Sequence, residues 1–260
     1  MAAIVDEFPG NSDSVKRLRE ELQRAAQTLL PVMLIGESGS GKELAARALH
    51  SLSNRRDQAF VAVNLAGIPD CLTSVELVGY TRGGRDRPGL FERAQGGTIL
   101  LDEIGEASPK VQSLLLSVVE SGSVRRLGAR DARTLDIWII AATNRDLRAM
   151  SLAGEFRADL LSRLSAIQVK LPSLRERRSD IPLLASSILE RISKQRGLTL
   201  SLTPGALKSL QHYDFPGNFR ELANLLERAA FTSKQSAISA ADLHLPRTLK
   251  HTPRGPRLLP

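Results

Sequence analysis

Two short stretches carry groups suited to phosphate chemistry. The first is GESGSGK: Gly36, Glu37, Ser38, Gly39, Ser40, Gly41 and Lys42. It follows the phosphate-loop pattern of glycine, four residues, glycine and lysine, and it lies between an apolar run and a helical pattern. In that setting successive backbone N–H groups and a helix N-terminus face the phosphates, and Lys42 supplies a cation. The hydroxyl residue expected next, a magnesium ligand, is replaced by Glu43. An acidic residue suits the first turn of a helix; as a replacement for the hydroxyl it predicts weaker magnesium binding. The second stretch is GGTILLDEIGE, which delivers Asp102 and Glu103 at the end of a strand-like run, where ligands bind in open α/β sheets. In that position Asp102 holds magnesium directly or through water, and Glu103 orients and deprotonates an attacking water. The pair follows the phosphate loop by about sixty residues, an arrangement that points to a hydrolase rather than a passive nucleotide binder. In IIAATN, Asn144 ends another strand. There it suits both a group that holds the water or terminal phosphate and a plain turn residue.

A sheet must position these groups. VMLI (32–35), FVAV (60–63), TILL (98–101), LDIWIIAA (135–142) and AIQV (166–169) are candidate strands, each apolar and β-branched enough to be central. Val15, Leu18, Leu22, Ala25 and Leu29 repeat at helical spacing, so residues 12–29 read as an amphipathic helix. A second helix is predicted over 42–52, and Ser108-Pro109 opens a third. Alternation of strand and helix predicts a parallel sheet covered on both faces. After about residue 174 the strands stop. Asp180 with Pro182, Thr203-Pro204, and Asn218 with Glu221 as a capping-box-like pair each open a helix. From Pro246 the chain is proline-rich and basic without periodicity and reads as disordered.

Composition narrows the class. The 260 residues carry a net charge of +8, which favours an anionic partner. No apolar run approaches the ~20 residues that cross a bilayer, so no membrane association is expected. The N-terminal MAAIVDEFPG turns acidic too early for a secretory signal. One cysteine, Cys71, excludes an internal disulfide, and the four histidines are dispersed without ligand spacing. A reducing, cytoplasmic location follows.

Taken together, GESGSGKELAARALH, FVAVNLAGIP, RPGLFERAQGGTILLDEIGE, IIAATNRDL, EFRADLLSRLSAIQVKLPSLRERRSDIPLL and FPGNFRELANLLERA resemble, in order, the motifs of the AAA+ ATPases. Within that group the resemblance is to the central domain of bacterial sigma-54-dependent transcription activators, the enhancer-binding proteins, and it runs from about Ile4 to Leu245. It implies a P-loop AAA+ fold, with an α/β nucleotide-binding subdomain over 1–174, a small all-α lid over 175–245 and the basic tail over 246–260. It also implies ATP hydrolysis with Mg2+ in a ring, usually a hexamer, with each site shared between neighbours. The family's phosphate loop ends in lysine-glutamate, so Glu43 matches it. By the same resemblance Asn64 contacts the catalytic glutamate, and Asn144 is the first sensor. Arg157 and Arg163 are presented to the adjacent subunit's γ-phosphate, and Arg220 is the second sensor on the lid.

Departures from the family are as informative. ELVGYTRGGRDRPGLFE reads as a helix end, a loop and a helix start. At this place the family carries a loop with the signature glycine-alanine-phenylalanine-threonine-glycine-alanine that grips sigma-54. Here Gly83 and Gly84 stand among Arg82, Arg85, Asp86 and Arg87, with no aromatic tip and about five residues fewer. Trp138 stands where the family usually has arginine, which fits either a strand-end aromatic packing under the lid or altered coupling between subunits. No receiver pattern precedes Ile4, and no helix-turn-helix pattern follows Leu245. The expectation is therefore an ATP-hydrolysing transcription regulator impaired in sigma-54 engagement. Its expected partners are itself, a homologous activator or RNA polymerase holoenzyme, with no sequence-specific DNA binding. A nucleotide-dependent regulatory or assembly partner with little ATPase of its own is the alternative.

Overall fold

Five apolar runs pair in parallel: β1 (Val32–Ile35), β2 (Phe60–Asn64), β3 (Thr98–Asp102), β4 (Trp138–Thr143) and β5 (Ile167–Lys170). Their spatial order is β2-β3-β4-β1-β5. This computed structural model describes residues 8–82, 85–197, 199–233 and 236–245, with Arg82 and Arg85 described by their backbone alone. Gly83, Gly84, the first seven residues and the basic tail from Pro246 lie outside the described residues. Successive strand residues face opposite sides, and both sides are covered. Val32, Leu34, Leu100, Ile140 and Ala142 face one apolar cluster, while Met33, Ile99, Leu101, Ile139 and Ala141 face the other. The expectation that all five strands are central is corrected: β2 and β5 are edges. Their sequences record this, since Ala62, Asn64, Gln168 and Lys170 are exposed where β1, β3 and β4 are almost wholly buried.

On the first face lie α1 (Asp13–Ala26) and α2 (Lys42–Leu52). Ser12 caps α1 by accepting the Val15 N–H at 3.4 Å, and Val15, Leu18, Leu22 and Ala25 form its buried stripe. On the second face lie α3 (Asp70–Val78), α4 (Pro109–Ser121) and α5 (Ala158–Leu164). Pro109 opens α4, where its missing N–H costs nothing, and Gly122 closes that helix in the left-handed region at φ 57°.

Two hairpins went unpredicted. The stretch read as a loop after α3 is an antiparallel pair, Gly79–Arg82 with Arg85–Pro88, and a second pair joins Ser123–Val124 to Arg133–Thr134. The base of the first is a backbone crossing. A Cβ on Gly79 would lie 2.2 Å from Arg87 O, and one on Gly89 would lie 2.4 Å from Gly79 N. Neither position admits a side chain.

The chain divides into two units between Ser173 and Leu174. The second contains α6 (Ile181–Arg196), α7 (Pro204–His212) and α8 (Asn218–Thr232) around its own apolar core. It is not wholly helical: Ser201–Leu202 pairs in parallel with Ala237–Ile238, two residues on each side and too short to show a period. The expected capping box is also shifted. Gly217 caps α8, with Glu221 accepting its N–H at 2.8 Å. Asn218 is fully buried, and its Oδ1 accepts the Leu174 N–H at 2.7 Å.

Trp138 belongs to the core of the first unit. It is 1% exposed, in one apolar cluster with residues of α1 and α2, and its indole N–H donates to Leu30 O at 2.8 Å. Trp138→Ala should therefore destabilise the first unit by about 3–5 kcal/mol, the range for emptying a large aromatic site. Trp138→Phe should cost about 1 kcal/mol through the lost hydrogen bond. Urea denaturation followed by far-UV circular dichroism reads both, and equal effects of the two changes would refute the assignment.

Candidate nucleotide site

The phosphate loop joins β1 to α2. Gly36 N–H donates to Thr143 O at 3.1 Å, tying the loop's first residue to the neighbouring strand β4. Gly41 caps α2 at φ 103°, a conformation that disfavours any other residue, and a Cβ there would meet the Phe8 ring at 3.1 Å. Lys42 opens the helix and is buried. Its Nζ donates to Gly36 O at 3.0 Å and Glu37 O at 3.5 Å, and lies 3.3 Å from Glu103 Oε1. Ser40 Oγ is buried without a hydrogen-bond partner among the described residues. A buried cation and an unsatisfied hydroxyl beside a helix N-terminus fit phosphate oxygens. Glu43 is exposed and pairs with Arg47 at 2.8 Å, one turn along α2, so its carboxylate is engaged on the helix surface.

The acidic pair leaves the end of β3. Burial pushes the Asp102 carboxyl above its usual range, the Glu103 charge adds to this and Lys42 opposes it. Asp102 Oδ1 accepts the Glu103 N–H at 3.0 Å. Glu103 sits at φ 52°, the left-handed region that costs a residue with a Cβ roughly 1–2 kcal/mol. One of its carboxylate oxygens faces Lys42 and the other accepts the Asn144 backbone N–H at 3.3 Å. Lys42, Asp102, Glu103 and Asn144 thus meet at the carboxyl end of the sheet.

The remaining residues named from sequence are placed as follows. Asn64 stands opposite Asp102 in the β2–β3 register, but its Oδ1 accepts the Ala66 N–H at 2.9 Å and caps a short turn rather than meeting Glu103. Arg157 immediately precedes α5, and its guanidinium forks onto Asp159 at 3.0 and 2.7 Å. Arg163 lies in the last turn of α5, largely exposed and 3.6 Å from Glu120. Arg220 is an exposed residue of the first turn of α8 in the second unit. Sequence reading passed over Arg145, beside Asn144, which donates to Gly105 O at 2.8 Å just beyond the acidic pair. An arginine after a strand-end asparagine carries no signal of its own.

Residues 8–170 match the family described as Sigma-54 interaction domain. The chain belongs to that family. Residues 175–257 match the AAA+ ATPase lid domain. Among similar proteins, the Nif-specific regulatory protein of Azotobacter vinelandii is 41% identical over 88% of this chain and 45% of its own length. The transcriptional regulatory protein XylR of Pseudomonas putida is 44% identical over 87% of this chain and 41% of its own. The crystal structure of NtrX from Brucella abortus in complex with ATP aligns at a TM-score of 0.84 with 34% identity, over 91% of this chain and 58% of that one. The chain thus spans about half the length of the curated relatives it matches.

In this sigma-54 interaction domain the two hairpins are joined. Thr81 N–H donates to Leu127 O at 2.9 Å, and Leu127 N–H to Gly79 O at 3.0 Å. Arg126, buried beneath them, forks onto Glu92 at 2.6 and 2.8 Å and reaches Asp86 at 2.9 Å, while Arg133 adds 3.1 Å to Glu92. Asp86, in the stretch read from sequence as a loop, thus ties the hairpin to Arg126.

Hydrogen bonding from Arg126 holds the Glu92 carboxyl below its ordinary range, against desolvation. A depressed carboxyl stabilises the folded chain above the unfolded value of ~4.3 and loses that contribution as pH falls through the folded value. Glu92→Gln should therefore lower the denaturation midpoint at pH 7, and the gap from the parent should narrow steadily below about pH 4.3. A gap independent of pH would contradict the ion pair.

Proposed function

We propose that this chain binds ATP with magnesium, hydrolyses it, and works as a subunit of a ring, a hexamer by its family resemblance, in cytoplasmic transcription regulation. The meeting of Lys42, Asp102, Glu103 and Asn144 at one sheet edge carries the reading. Lys42 and the N–H groups before α2 hold the phosphates. Asp102 would hold magnesium, a hard cation that takes oxygen ligands. Magnesium, when bound, neutralises phosphate charge.

Glu103 is the base. Its oxygen at Lys42 is released when Lys42 turns to the phosphates, and it then takes a proton from the attacking water. Asn144 keeps the carboxylate aimed through its N–H and senses the terminal phosphate. Asn64, freed from its turn, follows Glu103 as nucleotide changes. Arg157 and Arg163 serve the neighbouring subunit's site, and Arg220 serves from the lid.

Lys42→Ala should abolish ATP binding. Glu103→Gln should retain binding and lose on the order of 10²–10⁴ in turnover, the usual share of a positioned base. Fluorescent-nucleotide titration and phosphate release measure the two. Unchanged turnover in Glu103→Gln would remove the glutamate from this role.

Contact with sigma-54 is impaired in this reading, because a motor does work only through contacts that differ between its nucleotide states. The stretch of Arg82, Arg85, Asp86 and Arg87 offers charge and no aromatic tip to an apolar groove. On a premelted promoter, the chain should fail to open complexes with sigma-54 polymerase. A variant with the family's full loop grafted between Arg82 and Arg85 should open them. Robust opening by the unmodified chain would end the argument. The short hairpin also favours a second reading, a nucleotide-dependent partner of a homologous activator with little turnover of its own.

A further inference from the structure

Gln112 is a buried amide in α4, 2% exposed, on a helix whose other buried residues are Val111, Leu115 and Val118. An amide at such a place is costly unless its hydrogen bonds are made. Here they are made to backbone in two separate segments. Nε2 donates to Ala107 O at 2.9 Å and to Glu155 O at 3.0 Å, and Oε1 accepts the Arg157 N–H at 2.9 Å. Ala107 closes the short turn that follows Asp102 and Glu103. Glu155 and Arg157 flank Phe156, which is buried with Ile104 and Ala107 in the same cluster.

A second side chain spans the same gap. Arg145 donates to Gly105 O at 2.8 Å and to the Glu155 carboxylate at 3.4 Å, and it follows Asn144 directly. The end of β4, the turn behind the acidic pair and the segment 155–157 are therefore held to one another. Arg157 immediately precedes α5 with extended backbone, φ −71° and ψ 128°. Fixing its N–H fixes where α5 begins, and α5 carries Arg163 as well.

We propose that Gln112 is a positioning residue that locks the Arg157 segment to the turn behind Glu103, so that a shift at one subunit's acidic site moves the arginines offered to the next. This rests on the reading that Arg157 acts on a neighbouring subunit. A leucine of similar size would fill the space and hold neither segment, leaving Ala107 O, Glu155 O and Arg157 N–H without their partner. Fully satisfied buried polar networks fix a position more sharply than apolar packing does.

The test pairs variants of the full chain in steady-state ATP hydrolysis, with nucleotide affinity measured separately. Gln112→Leu alone should lose 10- to 100-fold in kcat, by the order expected when a positioned group is misplaced, while its nucleotide affinity stays within about twofold, since its own phosphate site is untouched. Mixed with Glu103→Gln, it should regain turnover, because an intact acidic site then meets an intact arginine. Mixed with Arg157→Ala, it should regain none, because both lack a presented arginine. Gln112→Glu keeps the acceptor for Arg157 N–H, loses both donors and should show the same pattern, which covers the case in which the leucine variant does not fold. The control pair Glu103→Gln with Arg157→Ala must itself recover. If the control fails, the trans reading of Arg157 falls and this inference with it. If the control recovers and the Gln112 variants recover with Arg157→Ala, the lesion lies in their own acidic site and only this inference is overturned. Recovery with neither partner, unchanged kcat, or failure of both variants to fold would also overturn it.

Discussion

Parallel pairing puts the carboxyl ends of all five strands on one edge of the sheet, and the candidate nucleotide site is built on that edge. Asn64 stands opposite Asp102, and Ile35 opposite Thr143, so the phosphate loop, acidic pair and Asn144 emerge side by side. The single hydrogen bond from Gly36 N–H to Thr143 O ties the first loop to the strand that delivers Asn144. A slip of one residue in any strand would exchange its two buried faces. With apolar clusters on both sides, such a slip also displaces the side chain at the strand's end by one position. The packing that stabilises the sheet is thus the same constraint that aligns the site.

Electrostatics completes what register begins. Lys42 is buried, and the groups that satisfy it are two loop carbonyls and one carboxylate. Burial raises Asp102 while Lys42 pulls it back. The cluster carries two acidic groups and one cation in a space where charges are poorly screened. In the function proposed above, an anion that competes for the lysine would free Glu103 without a long-range device.

Much of this was legible in the chain itself. GESGSGK between a strand and a helix, and DE at the end of an apolar run, are local patterns whose spacing follows from one loop and one strand end. The central strands β1, β3 and β4 showed as unbroken apolar runs, and α1 as a clear three-four repeat. The edge strands misled because four of the five residues of FVAVN are apolar although only one of the five is buried. The hairpins at 79–88 and 123–134 escaped because their strands are only two to four residues long and mainly polar, leaving no alternation to read. The α8 cap shifted from Asn218 to Gly217 because a long-range partner, Leu174 N–H, claimed the asparagine. Gln112 and Arg145 were invisible for a related reason. Glu155 O and Arg157 N–H for Gln112, and Gly105 O for Arg145, are backbone atoms forty or more residues away, and backbone atoms have no letter in a sequence.

The glycine crossing at the root of the first hairpin has one more consequence. Gly79 and Gly89 bring two backbones together with no side chain between them, and Leu127 pins the same strand from beside. The root is therefore closed by backbone contacts and by the Arg126 ion pairs, none of which involves the span between Arg82 and Arg85. Each doubling of a flexible loop costs only ~0.6 kcal/mol in closure entropy. A change of length between Arg82 and Arg85 therefore leaves in place every contact that closes the root.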